Sequence, residues 1–336
     1  MNSPLAYLNG RLLPFAEAAL PLADAGFAFG ATVVDNARTF RHKLFRWPDH
    51  LARFRRDCQT CYIPLQQSNE QLTATADELI SHNASLLPPG GELQLVTFAT
   101  PGPLALYGTA GSWVAPASNR CETDSTGWKP VSPSKAPTLG MHTYPLPFAR
   151  YRRFFTEGAV LAAAGFQSSA RADALSPTVK HRSRLSWWIT EQRLRDPESP
   201  FYKPGAVAVL MNGSGPGDTA IGSILSVADD GVIAAEEGTV LESISVRVVA
   251  ELCAAIGIPF RRRPLDSVAE NEDAIKEVLL AGTGFCLAGV REFASGKQSR
   301  RYPWPGPVYQ KLLAAWSELV GVDIAQQFLD GANANR

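Results

Sequence analysis

Residues 116–137 break the chain in two. They run Pro-Ala-Ser-Asn-Arg-Cys-Glu-Thr-Asp-Ser-Thr-Gly-Trp-Lys-Pro-Val-Ser-Pro-Ser-Lys-Ala-Pro, loose, polar and rich in Ser and Pro, as a long loop or linker is. A chain of 336 residues is in any case too long for one comfortable core. Two domains are therefore expected. Pro145-Leu-Pro147 and the basic Arg150-Tyr-Arg-Arg153 mark the boundary, giving units 1–152 and 153–336.

The elements alternate between helix and strand on both sides of that boundary. Ala6 to Pro14 reads as two short strands about an Asn9-Gly10 turn. Thr32–Phe40 alternates like a strand, and Arg41-His-Lys43 turns it into Leu44-Phe-Arg-Trp47 as a hairpin. Pro48 suits the first position of a helix in which Leu51, Phe54 and Cys58 recur at helical spacing. A second helix is expected over Asn69–Asn83 and a strand over Glu92–Ala99. The second half carries strands at Ala159–Ala163, Ala206–Met211, Ile224–Ala228, Gly231–Ala234 and Glu277–Leu280. Its helices are expected at Val246–Ile256, near Val268–Asn271, and finally at Val308–Val320. No internal repeat is evident.

Lys+Arg and Asp+Glu both number 32, so there is no excess of positive charge to hold a nucleic acid. The positive charge is nevertheless bunched, at Arg41-His-Lys43, Arg53 to Arg56, Arg150 to Arg153, Lys180 to Arg184 and Arg261 to Arg263. Such clusters on a neutral protein suit a small anionic ligand, or are solvated faces. Of the five cysteines, Cys58 and Cys61 form a C-x-x-C with no second pair for zinc and no thioredoxin-like surroundings. They read as small apolar fillers on a helix, and no metal site is expected. The first residues hold neither a basic start nor a long apolar run, so no signal peptide or membrane span is expected and the cytoplasm is the default.

One segment invites chemistry. In Leu175-Ser-Pro-Thr-Val-Lys-His-Arg-Ser-Arg-Leu185, Pro177 and the pair Thr178–Val179 favour extended backbone, and Leu185, Trp188 and Leu194 follow at helical spacing. A strand end thus delivers Lys180 just before a helix. His181, Arg182 and Arg184 crowd it, and neighbouring positive charge disfavours its ammonium form, as a nucleophilic lysine requires. Alone, the segment reads equally as a solvated basic loop. Two further stretches suit phosphate. Ser243 or Ser245 would cap a helix whose stripe is Val246, Val249, Leu252 and Ile256 and whose stop is Gly257. Leu280-Ala-Gly-Thr-Gly-Phe285 ends a strand in a small-residue turn with one hydroxyl.

Taken in order, these fragments resemble the class IV aminotransferases, the pyridoxal-phosphate enzymes of fold type IV. That family includes branched-chain aminotransferases, D-amino acid aminotransferases and aminodeoxychorismate lyases. The resemblance runs from Tyr7-Leu-Asn-Gly-Arg through Asp24-Ala-Gly-Phe-Ala-Phe-Gly30, Arg38-Thr-Phe, His50-Leu-Ala-Arg53 and Lys180-His-Arg-Ser-Arg-Leu. It continues through Asp218-Thr-Ala-Ile-Gly-Ser-Ile-Leu225, Ser243-Ile-Ser and Gly282-Thr-Gly. It implies an α/β (α+β) fold, with a smaller N-terminal domain and a larger C-terminal domain built on a barrel-like mixed sheet. It also implies pyridoxal 5'-phosphate as cofactor, amino acid and 2-oxo acid substrates, and a homodimer whose active sites are closed across the interface.

Position by position, the resemblance makes Lys180 the residue that forms the Schiff base and shuttles a proton. Arg53, the backbone of Ile244 and Ser245, and the hydroxyl of Thr283 would bind the cofactor phosphate. Asp218 would pair with the pyridine nitrogen, where the family usually has glutamate. Tyr7 and Arg38 resemble positions that line the site, or stand at strand edges. Departures are Ser223 for asparagine, Ser243 for glycine, Val246 for arginine, Leu185 for tyrosine, and a Val96-Thr-Phe-Ala-Thr100 without the Arg-x-His carboxylate trap. The expected activity is amino-group transfer from an amino acid to a 2-oxo acid, of branched-chain-aminotransferase type. The alternatives are an aminodeoxychorismate lyase-like enzyme and a non-catalytic pyridoxal-phosphate- or phosphate-binding relative.

Overall fold

The computed structural model describes residues 3–104, 137–167, 176–212, 215–263, 274–296 and 298–331. The linker at 116–137, apart from Pro137, and the helix expected near Val268–Asn271 lie outside the described residues. Two sheets organise the rest. The first contains β1 (Leu5–Leu8), β2 (Arg11–Pro14), β3 (Val33–Phe40), β4 (Lys43–Leu44), β5 (Leu93–Thr100) and β6 (Thr138–Pro145), in the order β2-β1-β6-β5-β3-β4. On one face lie α2 (Trp47–Thr60) and α3 (Asn69–Ala84), and the short α1 (Ala25–Ala28) precedes β3.

Local chemistry explains these boundaries. Asn9 and Gly10 both take positive φ, as a tight two-residue hairpin turn demands. Ser68 caps α3 in a reciprocal box with Gln71. Alternation along β3 sends Val33 and Ala37 into a core with Leu51, Phe54, Cys58, Leu72, Leu79 and Leu95. It turns Val34 and Asn36 the other way, toward a cleft. Leu72 and Leu79 are fully buried, and truncating either to Ala would cost about 2–5 kcal/mol.

The second sheet has nine strands. They are β7 (Ala159–Gln167), β8 (Val207–Asn212), β9 (Gly215–Thr219), β10 (Ser223–Ala228), β11 (Gly231–Ala235), β12 (Phe260–Arg263), β13 (Glu277–Gly282), β14 (Cys286–Ser295) and β15 (Gln298–Arg301). Its path is β12-β11-β10-β13-β14-β7-β8-β9, with β15 beside β14. The edge strand β9 turns directly into the interior strand β10, with Thr219 N–H donating to Gly222 O at 3.2 Å, so the sheet curls toward closure. Around it lie α4 (Phe148–Thr156), α5 (Leu185–Arg195), α6 (Ile244–Ala255), α7 (Pro307–Val320) and α8 (Ile324–Gly331). The mixed α/β architecture with a barrel-like second sheet agrees with the sequence-based expectation.

Two details differ from that expectation. The chain does not end on the helix at Val308–Val320, because Gly321 stops it at φ 67° and a further helix, α8, follows. Fully buried Phe328 of α8 stacks on Phe155 at 4.7 Å, which is why α8 docks rather than frays. Lys180 does not end a strand. Its segment is joined to β3 through a single bridge between Val33 and His181. The extended backbone expected of Thr178 and Val179 is not found: residues 176–179 form a turn closed by Val179 N–H on Ser176 O at 3.1 Å, a local hydrogen bond that overrides the β-branched preference.

Candidate active site

Lys180 is placed by tertiary bonds. Its N–H donates to Asp57 Oδ2 at 2.9 Å, and its carbonyl accepts from Val34 N at 2.9 Å. Arg182 N–H then donates to Thr32 O at 2.9 Å, and Ser183 Oγ donates to Gly30 O at 3.0 Å. The side chain lines a cleft of about 780 Å³ that lies against both sheets. Burial, then the charges of Arg53 and Arg184, bring its pKa down to about 8, against the opposing pull of Asp35 and Asp218. Of the three flanking basic residues, Arg184 is the one among the leading causes. Arg53, remote in sequence, contributes more.

Arg53 belongs to a buried network on α2. Its Nε and Nη2 donate to the two Asp35 oxygens at 2.8 and 2.9 Å, a bidentate pair, while Nη1 donates to Glu242 O at 2.9 Å. His50 Nδ1 lies 2.7 Å from Asp35 Oδ1. Burial alone would raise the pKa of Asp35. The charges of Arg53 and His50 overturn that and hold it well below the usual carboxylate range. Arg53 uses three of its five N–H bonds here, so two remain for an anion. The bond to Glu242 also sets Arg53 beside the start of α6, where Ser243 Oγ accepts from Val246 N at 3.3 Å as the cap. Ile244 and Ser245 follow in the first turn of α6 with buried side chains and are not among the residues that line the cleft, which Ser243 does.

Asp218 stands at the end of β9, with Thr219 N–H donating to its Oδ1 at 2.9 Å. Burial raises its pKa to about 7, opposed by that N–H, by Lys180 and Arg184, and by the Ser223 hydroxyl. Arg184 Nη1 donates to Ala220 O at 3.0 Å, tying the lysine segment to the β9–β10 turn. Thr283 lies in the turn from β13 to β14 and lines the same cleft. The backbones approach closely there. A Cβ on Gly222 would stand 2.5 Å from Ala281 O, and one on Gly282 would stand 2.4 Å from Ile221 O.

Arg53, Lys180, Asp218, Ser243 and Thr283 thus share one cleft, with Ile244 and Ser245 directly behind Ser243. Tyr7 and Arg38 do not line it. Tyr7 packs in the first core. Arg38 is buried with Nη2 on Gln327 Oε1 at 2.8 Å, Nη1 toward Gly284 O at 3.4 Å, and its guanidinium 3.9 Å above the Phe40 ring. It joins β3 to α8 and the β13–β14 turn.

Several cleft groups escaped the sequence reading. On the first sheet, Asn36, Val96 and His142 are cross-strand partners on one face, next to Gln94 and Tyr144. Tyr144 Oη donates to Gln94 Oε1 at 2.5 Å, whereas Asn36 Oδ1 and His142 Nδ1 are buried without a hydrogen-bond partner. Period-two alternation could have set these side chains on one face, but not opposite Lys180. Asp35 and Asp57 were equally invisible. Nothing local distinguishes a strand aspartate that pairs with a buried arginine, or a helix aspartate that holds the Lys180 segment, from one that meets solvent.

The chain matches the family model described as amino-transferase class IV over residues 32–293. Among solved structures it is similar to the branched-chain amino acid aminotransferase of Escherichia coli, at 16% identity over 95% of both chains with a TM-score of 0.73. The branched-chain aminotransferase of Thermoproteus uzoniensis, solved with norvaline, matches at 15% identity over 95% of both chains with a TM-score of 0.72. A branched-chain amino acid aminotransferase from T.th., solved with pyridoxamine 5'-phosphate, matches at 16% identity over 95% of both chains with a TM-score of 0.68. At such identities the likeness is one of fold. No curated protein matches the sequence.

Proposed function

The chain belongs to the class IV aminotransferase family, and from that premise we propose that it is a pyridoxal-phosphate-dependent transaminase acting through Lys180. One observation carries the reading: a lysine with its pKa brought down to about 8 faces the same cleft as a guanidinium with two unused donors, a helix start and a buried carboxyl. This donor set fits the cofactor. Arg53, the N–H groups of Ile244 and Ser245, and the Thr283 hydroxyl would hold its phosphate, and Asp218 its ring nitrogen. When bound, pyridoxal phosphate supplies the electron sink for the substrate carbanion.

The protein's own groups do the rest. Lys180 Nζ, neutral above about pH 8, would be the amine that holds the cofactor's aldehyde and the base for the substrate Cα proton. Asp218, ionised above about pH 7, would hold the ring nitrogen through its charge. Arg184 holds the lysine segment and the Asp218 turn together through Ala220 O.

The structural relatives' branched-chain substrates are the starting point for the donor, but the first-sheet wall is polar. Asn36, Gln94, His142 and Tyr144 line it, which suits a side chain with polar as well as apolar surface. Exposed Leu22, Phe27 and Phe29 ahead of β3, together with Leu185 and Trp188 on α5, support a homodimer. Sedimentation as a single chain at micromolar concentration would refute that pairing. No helix among the described residues is long and apolar enough to cross a membrane.

The test is a spectrum of the purified protein with pyridoxal phosphate, before and after mixing with L- and D-amino acids. The cofactor band is expected to disappear with a donor alone and return with a 2-oxo acid. Lys180→Ala is expected to lower transfer by at least about 10³-fold. Pyruvate released from aminodeoxychorismate without an acceptor would point to the lyase chemistry instead, and unchanged turnover in Lys180→Ala would remove Lys180 from the mechanism.

A further inference from the structure

Asp57 occupies an unfavourable position. Its carboxyl is 1% exposed, and it lies in the last turn of α2, where the helix dipole is negative. Burial raises its pKa despite the Lys180 N–H and the charge of Arg56, so holding it there costs stability. Its Oδ1 accepts from Arg56 at 3.2 Å, a half-exposed partner. Its Oδ2 is turned inward onto Lys180 N at 2.9 Å.

The lysine segment depends on that contact. Lys180 lies in neither helix nor strand, so no ladder of its own fixes its φ and ψ. Its peptide groups are held from two sides instead, the N–H by Asp57 on α2 and the C=O by Val34 on β3. Asp57 is four residues beyond Arg53, on the same helical face and about 6 Å further along the axis. One rigid helix therefore carries both the group that faces the anion and the group that holds the amine. Leu51, Phe54 and Cys58 anchor α2 in the core, and the pairs Arg46–Glu251 at 2.6 Å and Arg247–Asp49 at 2.9 Å fasten it to α6.

We propose that Asp57 is a positioning residue: through the Lys180 peptide it sets the distance and direction of the Lys180 amine relative to the phosphate-facing end of α2. The inference rests on the reading of Lys180 as the reactive amine. It assigns Asp57 no contact with substrate or cofactor. A displacement of about 1 Å at the amine would cost roughly 10²-fold in rate, which is the scale of effect expected if the tether is cut.

The experiment compares Asp57→Ala, which cannot accept the bond, with Asp57→Asn, which keeps an acceptor oxygen and loses the charge. With enzyme saturated in pyridoxal phosphate, the single-turnover rate per bound cofactor is expected to fall about 10- to 100-fold in Asp57→Ala. The KM of the donor should change little, and Asp57→Asn should recover most of the rate. A second readout avoids turnover: pyridoxal, the aldehyde without the phosphate, is trapped on Lys180 by borohydride and the labelled peptide quantified by mass spectrometry. Labelling should fall in Asp57→Ala and return in Asp57→Asn. If Asp57→Ala does not fold, Asp57→Leu replaces it, filling the space without an acceptor.

Wild-type rate and labelling in the non-accepting variant would overturn the proposal. So would equal loss in both variants, or a loss matched entirely by lost cofactor content. If wild-type Lys180 is never labelled and no amino acid reacts, it is the transaminase reading that fails, and the positioning role falls with it.

Discussion

The two walls of the cleft hold charge in opposite ways. On the α2 side Arg53 takes Asp35 bidentately, and His50 shares the same carboxylate. In contrast to them, Lys180, its peptide tied to α2 and β3, and Asp218 of β9 face the cleft with their charged forms disfavoured, one pKa pulled down to about 8 and the other pushed up to about 7. Pairing makes a guanidinium permanent and immobile, and suits it to gripping an anion. Incomplete pairing leaves an amine and a carboxyl able to change protonation near neutral pH, which proton transfer requires. On the proposed reading, the paired Arg53 network grips the phosphate while Lys180 and Asp218 react.

Breaking the paired wall should give the largest effect on stability. Asp35→Ala leaves Arg53 buried without its carboxylate, and loss of one partner of such a pair costs about 3–5 kcal/mol. A loss of unfolding free energy of that size is expected in urea titration, read as a lower midpoint at unchanged slope. A midpoint within experimental error of wild type would show that the network contributes nothing net. A smaller effect is expected from the other end of the same pair. Arg53→Lys keeps one charge but cannot donate to Asp35 and an anion together, so pyridoxal-phosphate affinity should fall about tenfold or more, measured by fluorescence titration. Unchanged affinity would take Arg53 off the phosphate.

The contrast between the walls also separates what the sequence could show from what it could not. Helix α2 was legible because Leu51, Phe54 and Cys58 repeat on one face, and α6 because Ser243 precedes an apolar stripe that Gly257 ends. The Asn9-Gly10 hairpin announced itself by its turn chemistry. The basic run Arg53 to Arg56 was visible as charge, but its pairing with Asp35 and Glu242 and its hydrogen bond to Asn69 were not, because each partner lies outside α2. The same limit applies to Lys180. Local reading found its flanking cations, yet His181 and Arg182 are not among the leading influences on it, while Arg53, from α2, is the largest of the charges. Patterns along the chain report elements, and charge at a site is a sum over elements.

The finest probe of the reactive wall is its pH dependence. Lys180 has a folded pKa below its ordinary value of 10.5, so between about pH 8 and 10.5 the unfolded chain binds the extra proton. Lys180 therefore adds stability as pH rises through that window, having cost stability below it. Asp218 has the opposite sign. Its pKa is raised from 3.8 to about 7, so the folded chain holds the extra proton between those values and its contribution falls as pH rises through them. Reactivity follows the free amine: borohydride trapping of pyridoxal on Lys180 should rise with a midpoint near pH 8. Arg184→Ala removes one of the charges that lower this pKa and should move the midpoint upward, toward the ordinary lysine value, while leaving the paired α2 wall untouched. Asp218→Asn removes an opposing charge and should move it downward. Midpoints that stay together in wild type and both variants would mean that burial alone sets the amine, and the distinction between the walls would then be one of solvent access rather than of charge pairing.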